Sequence, residues 1–324
     1  MFCRMRAAIL ALILFGTGCA TPDRLSYSEV DSRALDRTMR YAVWAPVDWR
    51  ADESLPIVVF LHGAADDETC FDEAGVGESL DRALAEGSIP RVIVVVPDGR
   101  LGFWENWYDG SQNYRDWVLQ EVMPEVAARY RTLPCPEGCH VAGTSMGGHG
   151  AVRFALFEPD QWSSIASLSG FILSTDQVML FSEEWFTRLF IPMDRIWGPV
   201  SDRERIERHD PYLRWQTQAD LRGARLLVAW AENDESRILE SNKAFEDHLS
   251  ERRIDHEAIV FRGGHDWKSW TPVIEQVLRF AVWGSIESAP GTALEAASEP
   301  AGALEGAAPH RIDHDTDPAL MEGG

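Results

Sequence analysis

The chain alternates between short continuous apolar runs and longer segments in which apolar residues recur every three or four positions. "PIVVFLHG" (56–63) and "PRVIVVVPDG" (90–99) are runs of the first kind, each ended by glycine, the pattern of strands buried on both faces. "CHVAGTS" (139–145), "SSIASLSG" (163–170), "ARLLVAWAEND" (224–234) and "HEAIVFRGGHD" (256–266) predict four more strands. Upstream, 25–31 and 38–45 read as strands, the second alternating Met39, Tyr41 and Val43 with Arg40, Ala42 and Trp44. Helical spacing predicts helices over 73–86 (Leu80 and Leu84, with Gly87 as the stop), 114–130, 147–157, 236–252 and 267–282.

Strands alternating with helices predict an α/β protein with a mostly parallel central sheet flanked by helices, whose ligands bind beyond the carboxyl ends of the strands. Gly63, Ser145, Asp234 and His265 each follow a predicted strand there. Residues 171–218 break the rhythm. They are rich in aromatic residues (Phe181, Trp185, Phe186, Phe190, Trp197, Trp215) and punctuated by Pro192, Pro199 and Pro211, which predicts a cap insertion of short helices over the strand ends. A single α/β domain is expected over 24–284. Residues 285–324 shift to Ala, Gly, Glu and Pro, too little apolar content to pack, and are expected to be a disordered acidic tail.

Charge and cysteine usage narrow the class. A net charge of -22 argues against nucleic acid as a partner. "MFCRMRAAILALILFGTGCA" has the basic start, short apolar stretch and small residues of a secretory signal over 1–19. Its end resembles a bacterial lipobox, with Gly16 where leucine is usual, so Cys19 is a candidate lipidation site; the alternative is plain cleavage after Ala20. With alanine after Cys19, the expected place is the periplasmic side of an outer membrane, otherwise periplasmic or secreted. In an oxidising compartment, "CPEGC" places Cys135 and Cys139 as a disulfide across a turn, leaving Cys70 a buried thiol.

The chemistry centres on Gly143-Thr144-Ser145-Met146-Gly147 between a strand and a helix. A serine hydroxyl needs a base and a group to orient that base, and on an α/β sheet they follow in the order serine, acid, histidine. His265, in a glycine-bearing loop before the last helix, is the candidate base. Asp234 is the candidate acid, with Glu232 as the alternative. Two N–H groups, of Ala64 after the first buried strand and of Met146 after the serine, are candidates for an oxyanion hole. Trp104, Trp107, Trp267 and Trp270 are candidates for a substrate-stacking wall, core packing being the competing role. His62 and His149 are expected to be structural. No motif for a metal, nucleotide or other cofactor is present.

"LHGAADD", "VVVPDG", "GTSMGGHGA", "AEND" and "GGHDWKSW" together resemble an esterase family of α/β-hydrolases. It includes S-formylglutathione hydrolases, feruloyl and acetylxylan esterases, enterochelin esterases and mycobacterial mycolyltransferases. The resemblance runs from about Ser54 to Val282. It implies an α/β-hydrolase fold, with Ser145 as nucleophile, His265 as base and Asp234 as acid. The expected activity is hydrolysis of a small-molecule or glycan-linked ester through an acyl-enzyme. Transfer of the acyl group to a sugar or other alcohol is the alternative, and a catalytically silent binding protein on the same scaffold a further one. The cap and the acidic tail match no subgroup, so neither substrate class nor oligomeric state follows from it.

Overall fold

The computed structural model describes residues 24–287. The signal segment with Cys19 and nearly all of the expected tail lie outside the described residues. Eight strands form one sheet: β1 (Ser26–Ser32), β2 (Arg37–Trp44), β3 (Ile57–Leu61), β4 (Ile93–Pro97), β5 (Cys139–Thr144), β6 (Ser164–Leu168), β7 (Arg225–Ala231) and β8 (Glu257–Phe261). Their spatial order is β1-β2-β4-β3-β5-β6-β7-β8. β1 pairs antiparallel with β2 and β2 with β4; every other pairing is parallel.

The near-continuous apolar strands follow from burial on both faces. Ile57, Val59 and Leu61 of β3 join one core with Ile93, Val95 and Val141, under α3 (Tyr114–Asp116), α4 (Met123–Tyr130), α5 (Met146–Phe157) and α11 (Ser236–Glu251). Val58 and Phe60 join a second core with Val94 and Val96, under α1 (Cys70–Glu73), α2 (Val76–Ala85) and α12 (Trp267–Trp283). The alternation expected in β2 holds only at Arg40. Ala42 and Trp44 are buried as well, because α2 covers that face and Asp81 accepts the Trp44 indole N–H at 3.2 Å. Arg24 closes this corner: its guanidinium pairs with Asp81 and donates to the Ala45 carbonyl at 2.8 Å.

Two helices depart from their predicted form. The helix expected over 73–86 is split at Gly75, whose φ of +68° lies in the left-handed region that glycine adopts at little cost. The break lets Cys70 and Phe71 pack against Phe60 before the chain re-aims Val76, Leu80 and Ala83 at the same core. The helix over 114–130 is continuous but widens to a π turn at Trp117–Val122, where the Met123 N–H reaches back to the Val118 carbonyl. Pro124 follows with no N–H to give, and the wider turn absorbs that lost donor.

Between β6 and β7 lie the short helices α6 (Thr175–Glu183), α7 (Trp185–Phe190), α8 (Met193–Ile196), α9 (Arg203–Arg208) and α10 (Pro211–Arg214). Asp210 fastens this cap internally by accepting from the N–H and hydroxyl of Thr175 at 2.6 and 2.7 Å. His209 fastens it to the body through Glu105, at 3.2 Å. Glu105 is fully enclosed, which opposes its ionisation. The His209 hydrogen bond and the guanidinium groups of Arg153 and Arg115 outweigh that cost and hold its carboxyl down at about 2. Cys135 and Cys139 are joined by a disulfide, and Cys70 is a buried free thiol whose pKa burial pushes well up. No helix among the described residues is long and apolar enough to cross a membrane.

Burial lowers the pKa of His62, His140, His149 and His209, so stability is expected to depend on pH, with His140 and His149 shifted furthest. His140, hydrogen-bonded to Ser164 on the adjacent strand, is pushed down to about 3 by burial and by Arg225. His149, which donates to the Phe171 carbonyl, is pushed down to about 3 by burial and by Arg153. Each folded value lies below the unfolded value of about 6.5, so the unfolded chain binds more protons between those limits. Stability is expected to be full above pH 6.5 and to fall steadily as the pH drops toward 3. Urea unfolding at pH 7, 5.5 and 4.5 measures this, and His140→Asn is expected to make the decline shallower.

Candidate active site

The turn after β5 is built from close backbone contact. A Cβ on Gly147 would lie 1.8 Å from the Leu61 carbonyl oxygen, and one on Gly143 would lie 2.4 Å from the Gly147 oxygen, so neither position admits a side chain. Ser145 between them has φ +55° and ψ -118°, a strained conformation for a residue with a side chain. Its N–H donates to the Leu168 carbonyl at 2.9 Å, and its carbonyl accepts the His149 N–H at 3.1 Å, which holds the strained turn in place.

The loops after β5, β7 and β8 bring three predicted residues together. His265 Nε2 lies 2.8 Å from Ser145 Oγ, and His265 Nδ1 lies 2.7 Å from Asp234 Oδ1. Asp234 supplies the carboxylate, while Glu232 is exposed. Burial works against the Asp234 charge, but hydrogen bonds from His265 and Ser169 prevail and hold its carboxyl below the usual range. An ionised Asp234 accepts Nδ1–H, which leaves Nε2 as the bare acceptor facing the serine hydroxyl.

Ser169 is a contributor that sequence reasoning missed. It sits fully buried just beyond β6 with φ +47°, accepts the Trp270 indole N–H at 3.1 Å and hydrogen-bonds Asp234. The Trp270 ring stands edge-on to the His265 ring with centroids 4.9 Å apart. The four side chains thus form a closed circuit around the imidazole. The short "SLSG" after a predicted strand carried no signal beyond a strand end.

The oxyanion candidates also meet here. Ala64 and Met146 line the same cleft as Ser145 and His265. Met146 opens α5, where first-turn N–H groups have no acceptor within the helix, and the Ala64 N–H makes no hydrogen bond among the described residues. His62 shapes this loop: its Nδ1–H donates to the Gly63 carbonyl at 2.7 Å, and its Nε2 accepts the Gly99 N–H at 2.9 Å. Burial lowers its pKa and keeps it neutral.

The tryptophan wall is not formed. Trp104 is fully buried, edge-on to His62, with its N–H on the His62 carbonyl. Trp270 is buried behind His265, and Trp267 packs against Phe71 and Trp270 while donating to Asp66. Trp107 is held by the Gly102 carbonyl and the Arg195 guanidinium, away from the cleft. An indole this large satisfies the core more readily than a surface, and periodicity could not tell the two apart. The wall comes instead from Phe103, Phe171, Phe181, Phe190 and Trp197, mostly supplied by the cap, around a cleft of about 720 Å³. Among the described residues, no group of three or more His, Cys, Asp and Glu side chains is arranged to hold a metal.

A mostly parallel sheet presenting a serine elbow, a histidine and an aspartate at its carboxyl edge defines an α/β-hydrolase fold. The model of the family described as "Putative esterase" matches residues 32–281, and the chain belongs to that family. Esterase Rv1288 of Mycobacterium tuberculosis is 27% identical over 263 residues, 75% of this chain and 56% of the relative, so the chain spans little more than half of that curated relative. The diacylglycerol acyltransferase/mycolyltransferase Ag85C of Mycobacterium leprae is 30% identical over 139 residues, 37% of this chain and 39% of the relative. Among solved structures, the fluorophosphonate-binding serine hydrolase FphF of Staphylococcus aureus superposes with a TM-score of 0.65 at 23% identity, over 80% of this chain and 98% of that one.

Replacing Ser169 by alanine removes a hydrogen bond from the Asp234 carboxylate. That raises the carboxylate's proton affinity and its pull on the His265 proton, so the acid limb of the kcat/KM profile is expected to move to higher pH. A pH–rate profile beside a thermal melt separates this effect from simple loss of stability, which would leave the limb in place.

Proposed function

We propose that this chain is an exported serine esterase that cleaves a carboxylic ester through an acyl-enzyme. The carrying observation is the hydrogen-bonded line Ser145–His265–Asp234 at the wall of an open cleft, with spacings of 2.8 and 2.7 Å. In this reading His265 takes the Ser145 proton as Oγ attacks the ester carbonyl, and Asp234 stabilises the resulting imidazolium. The Ala64 and Met146 N–H groups receive the oxyanion. His265 then protonates the departing alcohol, and a water activated by the same ring releases the acid. No cofactor takes part.

Transfer to an alcohol uses the same groups with water replaced by an acceptor. The likeness to a mycolyltransferase over 139 residues favours testing it by product analysis with added sugar or glycerol. Export rests on the N-terminal signal pattern and is supported by the Cys135–Cys139 bridge, a bond that persists in oxidising compartments. Anchoring through lipid on Cys19 is the matching proposal for its location. Labelled fatty acid that enters the whole chain but not Cys19→Ser tests it.

Turnover of soluble p-nitrophenyl esters is expected to fall by at least ~10⁴-fold in Ser145→Ala and by about 10⁴-fold in Asp234→Asn. The serine mechanism would be overturned by undiminished turnover in Ser145→Ala. Mass spectrometry after fluorophosphonate treatment is expected to find the adduct on Ser145 alone.

A further inference from the structure

The cleft has an uneven distribution of charge. Its enclosed part is formed by Phe103, Leu173, Met193 and Trp197, all buried, beside the buried Met146 that follows Ser145. Apart from Ser145 and His265, its polar side chains lie in the more exposed part, the mouth: Glu184 and Thr187 at the α6–α7 junction, and Glu235 and Arg237 at the start of α11. Arg237 is the one guanidinium or ammonium group lining the cleft among the described residues. Its charge is already engaged. Its two terminal nitrogens lie 3.4 Å from the two Glu184 oxygens, and its guanidinium lies 5.0 Å from the centre of the Phe181 ring. Glu184 is in turn oriented by the Thr187 hydroxyl at 2.9 Å. That hydroxyl and, behind it, Arg237 hold the carboxyl below the usual range, so it is charged at neutral pH.

We propose that Glu184, by engaging Arg237 across the cleft mouth, restricts the site to esters of uncharged, apolar acyl groups. The inference rests on the serine-esterase reading above and adds its substrate class. During the two-step reaction the acyl group stays on Ser145 while the alcohol departs, so the enclosed apolar part suits the acyl group and the open mouth suits the exit. A carboxylate ending the acyl chain would either lie in the enclosed apolar part with no cation beside it or, where the chain reaches the mouth, bring a third anion to a place that already carries Glu184 and Glu235 against one cation. It would have to compete with Glu184 for Arg237, and its desolvation would go uncompensated otherwise. As a partly exposed pair, with side chains 61% and 32% accessible, Arg237–Glu184 adds little to stability. Its consequence is selectivity.

The test uses the full-length chain and two fluorophosphonates, one with a heptyl chain and one with a chain of equal length ending in carboxylate. In each, Ser145 Oγ attacks phosphorus, fluoride leaves and the proton passes to His265, so labelling reads the nucleophile without requiring turnover. Intact-mass rates are expected to favour the neutral chain by about 100-fold in the unaltered protein. Glu184→Gln, which frees Arg237 and keeps the shape, is expected to narrow that ratio at least tenfold. Glu184→Gln with Arg237→Gln is expected to lose the gain for the carboxylate probe. With p-nitrophenyl esters, kcat/KM is expected to rise about fourfold per methylene from acetate to hexanoate. Equal labelling by the two probes, or a ratio unmoved by Glu184→Gln in a protein of normal melting temperature, overturns the selectivity and leaves the esterase reading intact. Absence of any Ser145 adduct overturns the esterase reading and the selectivity built on it.

Discussion

The contact on which the site depends is between two pieces of backbone. Gly147, in the first turn of α5, lies so close to the Leu61 carbonyl at the end of β3 that no side chain fits between them. This approach brings the loop after β3 and the turn after β5 into one wall, so that Gly63 faces the Ser145 Cβ and Ala64 and Met146 line the same cleft. The strain of Ser145, of order 1–3 kcal/mol, is held by hydrogen bonds to Leu168 and His149 on either side of it. Ser145, Ala64 and Met146 are therefore positioned by main-chain packing, which loosens less readily than side-chain rotamers.

Around that point electrostatics is arranged in depth. Asp234 is kept charged in a buried position by donors from three directions: His265, Ser169 and the main chain at Ala231. On the far side of α5 the same rule applies to Glu105, enclosed and charged among His209, Arg153 and Arg115. The first cluster orients the imidazole. The second fastens the cap to the helix that follows Ser145, so the apolar wall contributed by Phe181 and Trp197 keeps its place over the serine.

Much of this was legible in the sequence because its signals are local. The apolar runs gave the strands of the parallel sheet, since burial on both faces leaves no polar positions to confuse the pattern. The elbow and the order Ser145, Asp234, His265 were readable because glycines and loop ends carry these residues. The split at Gly75 was not, since it answers to packing against the distant Phe60; nor was the π turn, because the apolar spacing runs on through Pro124 and does not register its missing N–H. The four tryptophans misled for a related reason: composition marks an aromatic residue but not the side of the sheet on which its ring comes to rest. Ser169 was invisible because its importance lies entirely in its neighbours, Trp270 and Asp234, which lie 101 and 65 positions away in the chain.

Arg24, clamped to Asp81 and Ala45, enters the fold beside Trp44. β2 runs antiparallel to β4, and Trp44 pairs with Val94 near that strand's amino end, whereas Tyr41 pairs with Pro97 at its carboxyl end. The chain therefore joins the domain at the pole of the sheet away from Ser145. A contact made at that base would leave the cleft, at the opposite pole, unobstructed.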